Sequence, residues 1–495
     1  MFMDNRYRST RGSVQRLNFC ESVLQGIGTD GGLLVPDFEL SLLNLESLQG
    51  LGYVELATEV LSRFAPELSR EELAEACTKA YASGTFPTDV VPVVSAGDIY
   101  VAELYHGPTA AFKDMALQLL PHLMGLSLNQ KRDGQRALIL AATSGDTGKA
   151  ALEGFHDVEG TFIKVFYPVD GVSAVQRQQM ITQSGNNVEV VAIRGNFDDA
   201  QRAVKEAFAS SELQEACSRK GIFLSSANSI NIGRLAPQVV YYFHAYLQLV
   251  KKGTVKMGEK INFVVPSGNF GNCLAGVIAR SMGLPVARFI VASNRNNVLT
   301  DFFSTGAYDV RRPFYKTNAP AMDILVSSNL ERLLFMLCGD SGKVAEWMQL
   351  LKDERAYSVD DAMRDILQES FSVGWLSEDE VLDTIGHWFR QYGYLADTHT
   401  AVGLGVYERY RCKTGDSTPT VVLSTASPYK FPASVCRAVT GEILSDEKAT
   451  ASLMKLSGIA VPDCLNGVME RPVLHRQVID PCHIVSFIKD GLTNL

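Results

Sequence analysis

The sequence predicts an α/β protein of two lobes, each built on a parallel-type sheet flanked by helices. Three observations carry this prediction. From about residue 99 to 215, short β-rich runs alternate with amphipathic stretches, the order expected of a parallel sheet and its crossover helices. The alternation resumes at Ile222 and recurs as far as Ser424, interrupted by a mainly helical stretch at about 325–390. Three of the junctions that end these strands are rich in glycine and hydroxyl residues. Ligands bind at such junctions, in the crevice at the carboxyl ends of the strands.

Residues 1–98 read as an N-terminal segment packing on the larger lobe, with helices from Tyr53 to Phe64 and from Ser69 to Tyr81. The smaller lobe is expected over 99–215. Its strands are Ile99–Leu104, Ala137–Ala142, Thr161–Tyr167 and Val188–Ile193, and its helices fall at 110–124, 146–156, 173–184 and 198–218. The larger lobe is expected over 216–495, with strands Ile222–Ser225, Ile261–Pro266, Val286–Ala292 and Thr420–Ser424 and a helical insertion at about 325–390.

Composition narrows the function classes. With 495 residues, 46% of them hydrophobic, the chain buries a large core without staples. A net charge of −9 argues against an extended nucleic-acid-binding face. The nine cysteines contain no CxxC pair, which fits reduced thiols in the cytoplasm. The eight histidines lack HExxH-type spacing, so no metal is expected. No apolar run reaches membrane-spanning length.

The most informative segment is His106-Gly-Pro-Thr-Ala-Ala-Phe-Lys113-Asp114. Thr109 is placed to cap a helix whose apolar face carries Phe112, Met115, Ala116 and Leu119, with Lys113 beside that face. A cation in the first turn opposes the helix macrodipole, which favours the neutral amine, the form that attacks an aldehyde. A solvated surface lysine is the plainer reading of the same residues.

Four further segments have ligand-binding chemistry. Ala141-Ala-Thr-Ser-Gly-Asp-Thr-Gly148 and Pro266-Ser-Gly-Asn-Phe-Gly-Asn272 each join a strand to a helix, where free amides can surround an anion. Leu423-Ser-Thr-Ala-Ser-Pro-Tyr-Lys430 ends a strand with adjacent hydroxyls, and Ser226-Ala-Asn-Ser-Ile-Asn-Ile-Gly-Arg234 ends in a guanidinium suited to phosphate. Each alone is also an ordinary turn.

Together, and in this order, these segments resemble the threonine synthase family of pyridoxal-phosphate enzymes, of the tryptophan synthase β-like fold (fold type II). The likeness begins with Tyr7-Arg-Ser-Thr-Arg-Gly12 and Gly26-Ile-Gly-Thr-Asp-Gly-Gly-Leu-Leu-Val-Pro36. Arg6, Arg8, Arg11 and Arg16 are therefore expected to be mature protein and not a transit peptide. It extends through Asp397-Thr-His-Thr-Ala to Phe431.

The resemblance implies roles. Lys113 would be the Schiff-base lysine and proton shuttle. Gly268, Asn269, Phe270, Gly271 and Asn272 would cradle the cofactor phosphate, and Thr425, or else Ser424, would meet the pyridine nitrogen. Thr143, Ser144, Gly145, Asp146 and Thr147 would bind the substrate carboxylate or lie near the cofactor 3′-oxygen. Asn231 and Arg234 would contact the substrate phosphate. The implied reaction turns O-phospho-L-homoserine and water into L-threonine and phosphate, by a monomer or homodimer. Family members usually carry histidine and alanine where this chain has Ser427 and Tyr429, and proline at Thr398. The changes at Ser427 and Tyr429 leave open a phospholyase yielding 2-oxobutyrate, ammonia and phosphate; a non-catalytic cofactor-binding protein is a separate and remoter alternative.

Overall fold

The computed structural model describes residues 6–82, 84–131, 134–169 and 172–492. Two sheets organise them. The larger runs in the order Phe371–Trp375, Val286–Ser293, Ile261–Pro266, Thr420–Ser424, Ile99–Glu103 and Val93–Ala96. Its first five strands are parallel, and the last lies antiparallel beside Ile99–Glu103. The smaller is wholly parallel, in the order Gln477–Ile479, Val188–Ile193, Thr161–Pro168, Arg136–Ala142 and Ile222–Ser225. Every residue of Ile261–Pro266 is buried, because helices cover both faces of a parallel sheet. That is why such strands read as unbroken apolar runs.

The expected lobe boundaries do not match the sheets. Ile99–Glu103, expected in the smaller lobe, is an interior strand of the larger sheet, paired with Thr420–Ser424. Ile222–Ser225, expected in the larger lobe, edges the smaller sheet against Arg136–Ala142. Near its end the chain returns to the smaller lobe with strand Gln477–Ile479 and helix Ile484–Gly491. The N-terminal 98 residues supply Val93–Ala96 to the larger sheet. The stretch at 325–390 is not purely an insertion, since Phe371–Trp375 forms the other edge of that sheet. Neighbours in sequence are usually neighbours in a sheet, but an apolar strand carries no mark of which sheet it joins.

Two helices also differ. The one expected at 110–124 starts at Asp114 and divides into Asp114–Leu117 and Leu120–Lys131. Residues 110–112 are held out of helical conformation by pairing with the chain beyond Ser424. The one expected at 198–218 breaks at Ser210, whose hydroxyl accepts the Leu213 amide and caps a second helix. No helix among the described residues is long and apolar enough to cross a membrane.

Candidate active site

The lysine segment is laid against the end of strand Thr420–Ser424. Phe112 N donates to Thr425 O at 2.8 Å, and Ser427 N donates to Ala110 O at 3.1 Å. Thr109 is not the helix cap expected. It donates instead, through its amide (2.8 Å) and hydroxyl (2.6 Å), to the buried carboxyl of Asp114, which staples the loop. Lys113 precedes a helix of a single turn, so the macrodipole there is slight. The amine is nonetheless kept toward its neutral form. Burial is the main cause, nearby Arg234 and Lys430 add to it, and Asp146 opposes them. The lysine side chain is only 10% exposed, so the surface reading fails.

Opposite it stands the junction of strand Arg136–Ala142 with helix Asp146–Phe155. Thr143 is buried, and its hydroxyl accepts the amides of Gly145 (3.0 Å) and Gly148 (2.8 Å). It shapes the turn and is not left for substrate. Gly145 has φ +140°, and a Cβ there would lie 2.5 Å from the Gln176 carboxamide. The Asp146 side chain is no anion binder either. Burial works against its charge, but Lys430 (2.7 Å) and Lys113 (3.5 Å) more than offset that and hold its carboxyl far below the usual range. The Ser144 and Thr147 hydroxyls and the Asp146 and Thr147 amides have no partner among the described residues. These four donors at a helix N-terminus are what a carboxylate needs.

The glycine-rich junction presents a second donor set. Ser327 Oγ donates to Gly268 O (2.7 Å) and Asn329 N to Asn269 O (3.0 Å). With those carbonyls turned outward, the Asn269 and Phe270 amides face the other way. Phe270 adopts φ +62°, and its ring packs 5.7 Å from that of Phe303, anchoring the turn. The amides of Asn269, Phe270, Gly271 and Asn272 have no acceptor among the described residues. Asn272 Oδ1 accepts from Tyr241 (2.7 Å) and Tyr242 (3.0 Å), which fixes its carboxamide and leaves Nδ2 buried without a partner. A Cβ on Gly268 would lie 3.1 Å from Ala321 O and Met322 Cα. A tight cradle holding donors only fits a phosphate.

At the strand end, Ser424 Oγ pairs with Thr400 Oγ1 at 3.0 Å, and Thr400 in turn donates to Asp397. Thr425 Oγ1 has no such tie among the described residues, so of the two it is the hydroxyl left for a pyridine nitrogen. His399 donates through Nδ1 to Asp397 (2.8 Å) and accepts the Ala321 amide at Nε2 (3.1 Å). It steadies the segment packed on Gly268.

Asn231 and Arg234 part company. Asn231 is fully buried; its Nδ2 donates to Val23 O and Ser226 O, and its Oδ1 caps the next helix at the Gly233 amide. It is structural, contrary to expectation. Arg234 is buried with one hydrogen bond, from Nη1 to Ala227 O (3.0 Å), and its Nε has no partner. Burial pulls its ionisation down to about 10. No carboxylate pairs with it among the described residues, and a buried lone cation calls for an anion from outside.

Comparison with known proteins agrees with this geometry. The "Threonine synthase N terminus" family matches residues 6–81, "Pyridoxal-phosphate dependent enzyme" matches 83–426, and "Threonine synthase, C-terminal" matches 400–478. The threonine synthase of Pseudomonas aeruginosa is 42% identical over 443 residues, covering 88% of this chain and 91% of that protein. The chain belongs to the threonine synthase family. Its cofactor is pyridoxal 5′-phosphate.

A crystal structure of pyridoxal-phosphate-bound threonine synthase from Brucella melitensis has a TM-score of 0.87 at 37% identity, covering 99% of each chain. The yeast threonine synthase structure has a TM-score of 0.87 at 32% identity, again covering 99% of each. Human threonine synthase-like 1 is 38% identical over 92% of this chain, which spans 62% of that longer protein.

The two lobes with their parallel sheets are thus the type II fold. Lys430 and Gln176, which converge on Asp146, were missed in the sequence. Lys430 closes the Leu423–Lys430 segment already singled out, but its burial is visible only in the fold. Of the departures from the family pattern, Ser427 and Tyr429 are tied into the turn after strand Thr420–Ser424. Ser427 Oγ accepts the Tyr429 amide, and Tyr429 donates to Ile459 O at 2.6 Å. Both line a cavity of about 970 Å³ with His106 and Lys149, and Lys113 is not in its wall.

Proposed function

We propose that the enzyme converts O-phospho-L-homoserine and water into L-threonine and phosphate. The observation that carries this reading is a buried amine set between separate groups of unpaired donors, because the reaction needs one anion site for the cofactor and others for the substrate. The Gly268–Asn272 cradle would hold the cofactor phosphate, Lys113 its aldehyde, and Thr425 its pyridine nitrogen. When bound, the cofactor supplies an electron sink for the substrate Cα. With a hydroxyl and no carboxylate at the pyridine nitrogen, that ring would stay uncharged.

The chain's own residues do the rest. Ser144, Thr147 and the helix amides would hold the substrate carboxylate and so fix the Cα–H bond toward Lys113. Arg234 would hold the substrate phosphate and steady its negative charge as it leaves. Lys113, uncharged when free, takes the proton from Cα and returns it there at the end, and in between carries the proton lost from Cβ to Cγ, which becomes the methyl group. His399 has both ring nitrogens engaged, so it cannot serve the water that adds at Cβ. That proton has the departing phosphate as its natural acceptor. The nine cysteines are unpaired, which suits a reducing compartment such as the cytoplasm.

Supplying the purified protein with phosphohomoserine and quantifying threonine against 2-oxobutyrate tests the reading. Threonine with equimolar phosphate is expected. 2-Oxobutyrate with ammonia as the main products would make the enzyme a phospholyase.

A further inference from the structure

Asp146 lies where two lysines meet. Lys430 Nζ is 2.7 Å from its Oδ1, and Lys113 Nζ is 3.5 Å from its Oδ2. Asp146 opens a helix of the smaller lobe, whereas Lys430 follows a strand of the larger sheet, so the shorter pair spans the cleft. Lys430 is completely buried, and its ammonium also donates to Thr109 O at 2.9 Å. Gln176 Nε2 donates to the same Asp146 oxygen at 2.8 Å. The charged groups facing Lys113 are therefore Asp146 from one helix, Arg234 from a second, and Lys430 from the turn after the strand. Asp114, on its own helix, is turned to Thr109.

We propose that Lys430 is a positioning residue for the Lys113 amine: its ion pair across the cleft takes up most of the Asp146 charge, docks the carboxylate-binding junction on the lysine loop, and leaves Lys113 only the longer, weaker contact. A buried carboxylate must find a cation. Without Lys430 the one within reach is Lys113, which would be held as ammonium, useless for attacking an aldehyde or taking a proton. With Lys430 in place Lys113 keeps only the longer contact, and burial, helped by the Arg234 and Lys430 charges, takes its ionisation below the ordinary value. The inference deepens the proposed reaction and rests on Lys113 being its amine.

The test measures the ionisation of Lys113 in the cofactor-free, full-length protein. Limiting acetic anhydride is applied across neutral to alkaline pH, and the Lys113 peptide is quantified by mass spectrometry. In Lys430→Met the midpoint should rise by about one pH unit or more, because Asp146 then turns to Lys113. In Lys430→Met/Asp146→Asn it should return to the wild-type value, since both opposing charges are gone. An unchanged midpoint in the single variant overturns the proposal. So does a double variant falling about one unit below wild type, which would mean that Asp146 acts on Lys113 alone. If the single variant does not fold, the double variant decides by itself, as it removes both members of the buried pair together. The product assay on the wild-type enzyme separately decides the reaction.

Discussion

Replacing Arg234 by methionine separates binding from stability. The guanidinium is buried, its Nη1 is engaged with Ala227 O, and Nε, together with Nη2 on the same edge, has no acceptor among the described residues. That edge is the fork that grips two phosphate oxygens at once. Two charge-assisted hydrogen bonds at the low end of their range amount to about 3 kcal/mol. The loss in kcat/KM for phosphohomoserine should then be about 150-fold. The cofactor-free protein should melt no lower than wild type, because the change removes a buried cation that lacks a counter-ion. Steady-state kinetics and thermal melting read the two effects independently. A melting point several degrees lower with kcat/KM unchanged would refute the reasoning and make Arg234 a structural residue.

Four other outcomes follow from the same geometry. Lys113→Ala should abolish both turnover and the yellow colour of cofactor bound through the lysine, and a coloured, active variant would put the amine elsewhere. Gly145→Ala should cost about 1–3 kcal/mol in urea denaturation, because φ is +140° and the new Cβ meets Gln176. Asn231→Ala should cost about 2 kcal/mol through a lost helix cap and two stranded carbonyls, with KM unaltered; a large rise in KM would restore it to the substrate site. Burial pushes Asp114 up to about 6, with Thr109 and Lys430 pulling the other way. The native state therefore binds the extra proton between the unfolded value near 4 and about 6, and this group's contribution to stability falls as pH rises through that window. Asp114→Asn should remove that slope from the pH dependence of the denaturation midpoint.

Much of the site was legible because each junction is a run of consecutive residues. A strand, a glycine-bearing turn and a helix specify one another locally. Hence Lys113, the Gly268–Asn272 cradle and the Ser144–Thr147 donors could be named before the fold. The individual roles within a junction were less legible. Thr143 and Ser144 look alike in sequence, but only one has its hydroxyl folded back onto the turn. Asp146, in a segment expected to bind a carboxylate, turned out to be the counter-charge for two lysines.

The amino-acid order by itself determined most of the strands and helices, where backbone amides would be left free, and which lysine stands beside them. These properties depend on neighbours a few residues away. Only the tertiary structure decided that Ile99–Glu103 and Ile222–Ser225 exchange lobes, that Asn231 is engaged while Arg234 is not, and that Lys430 reaches Asp146. The reason is that burial and pairing are set by groups distant along the chain. A carbonyl or carboxylate from another segment either lies within hydrogen-bond distance once the lobes close together or it does not.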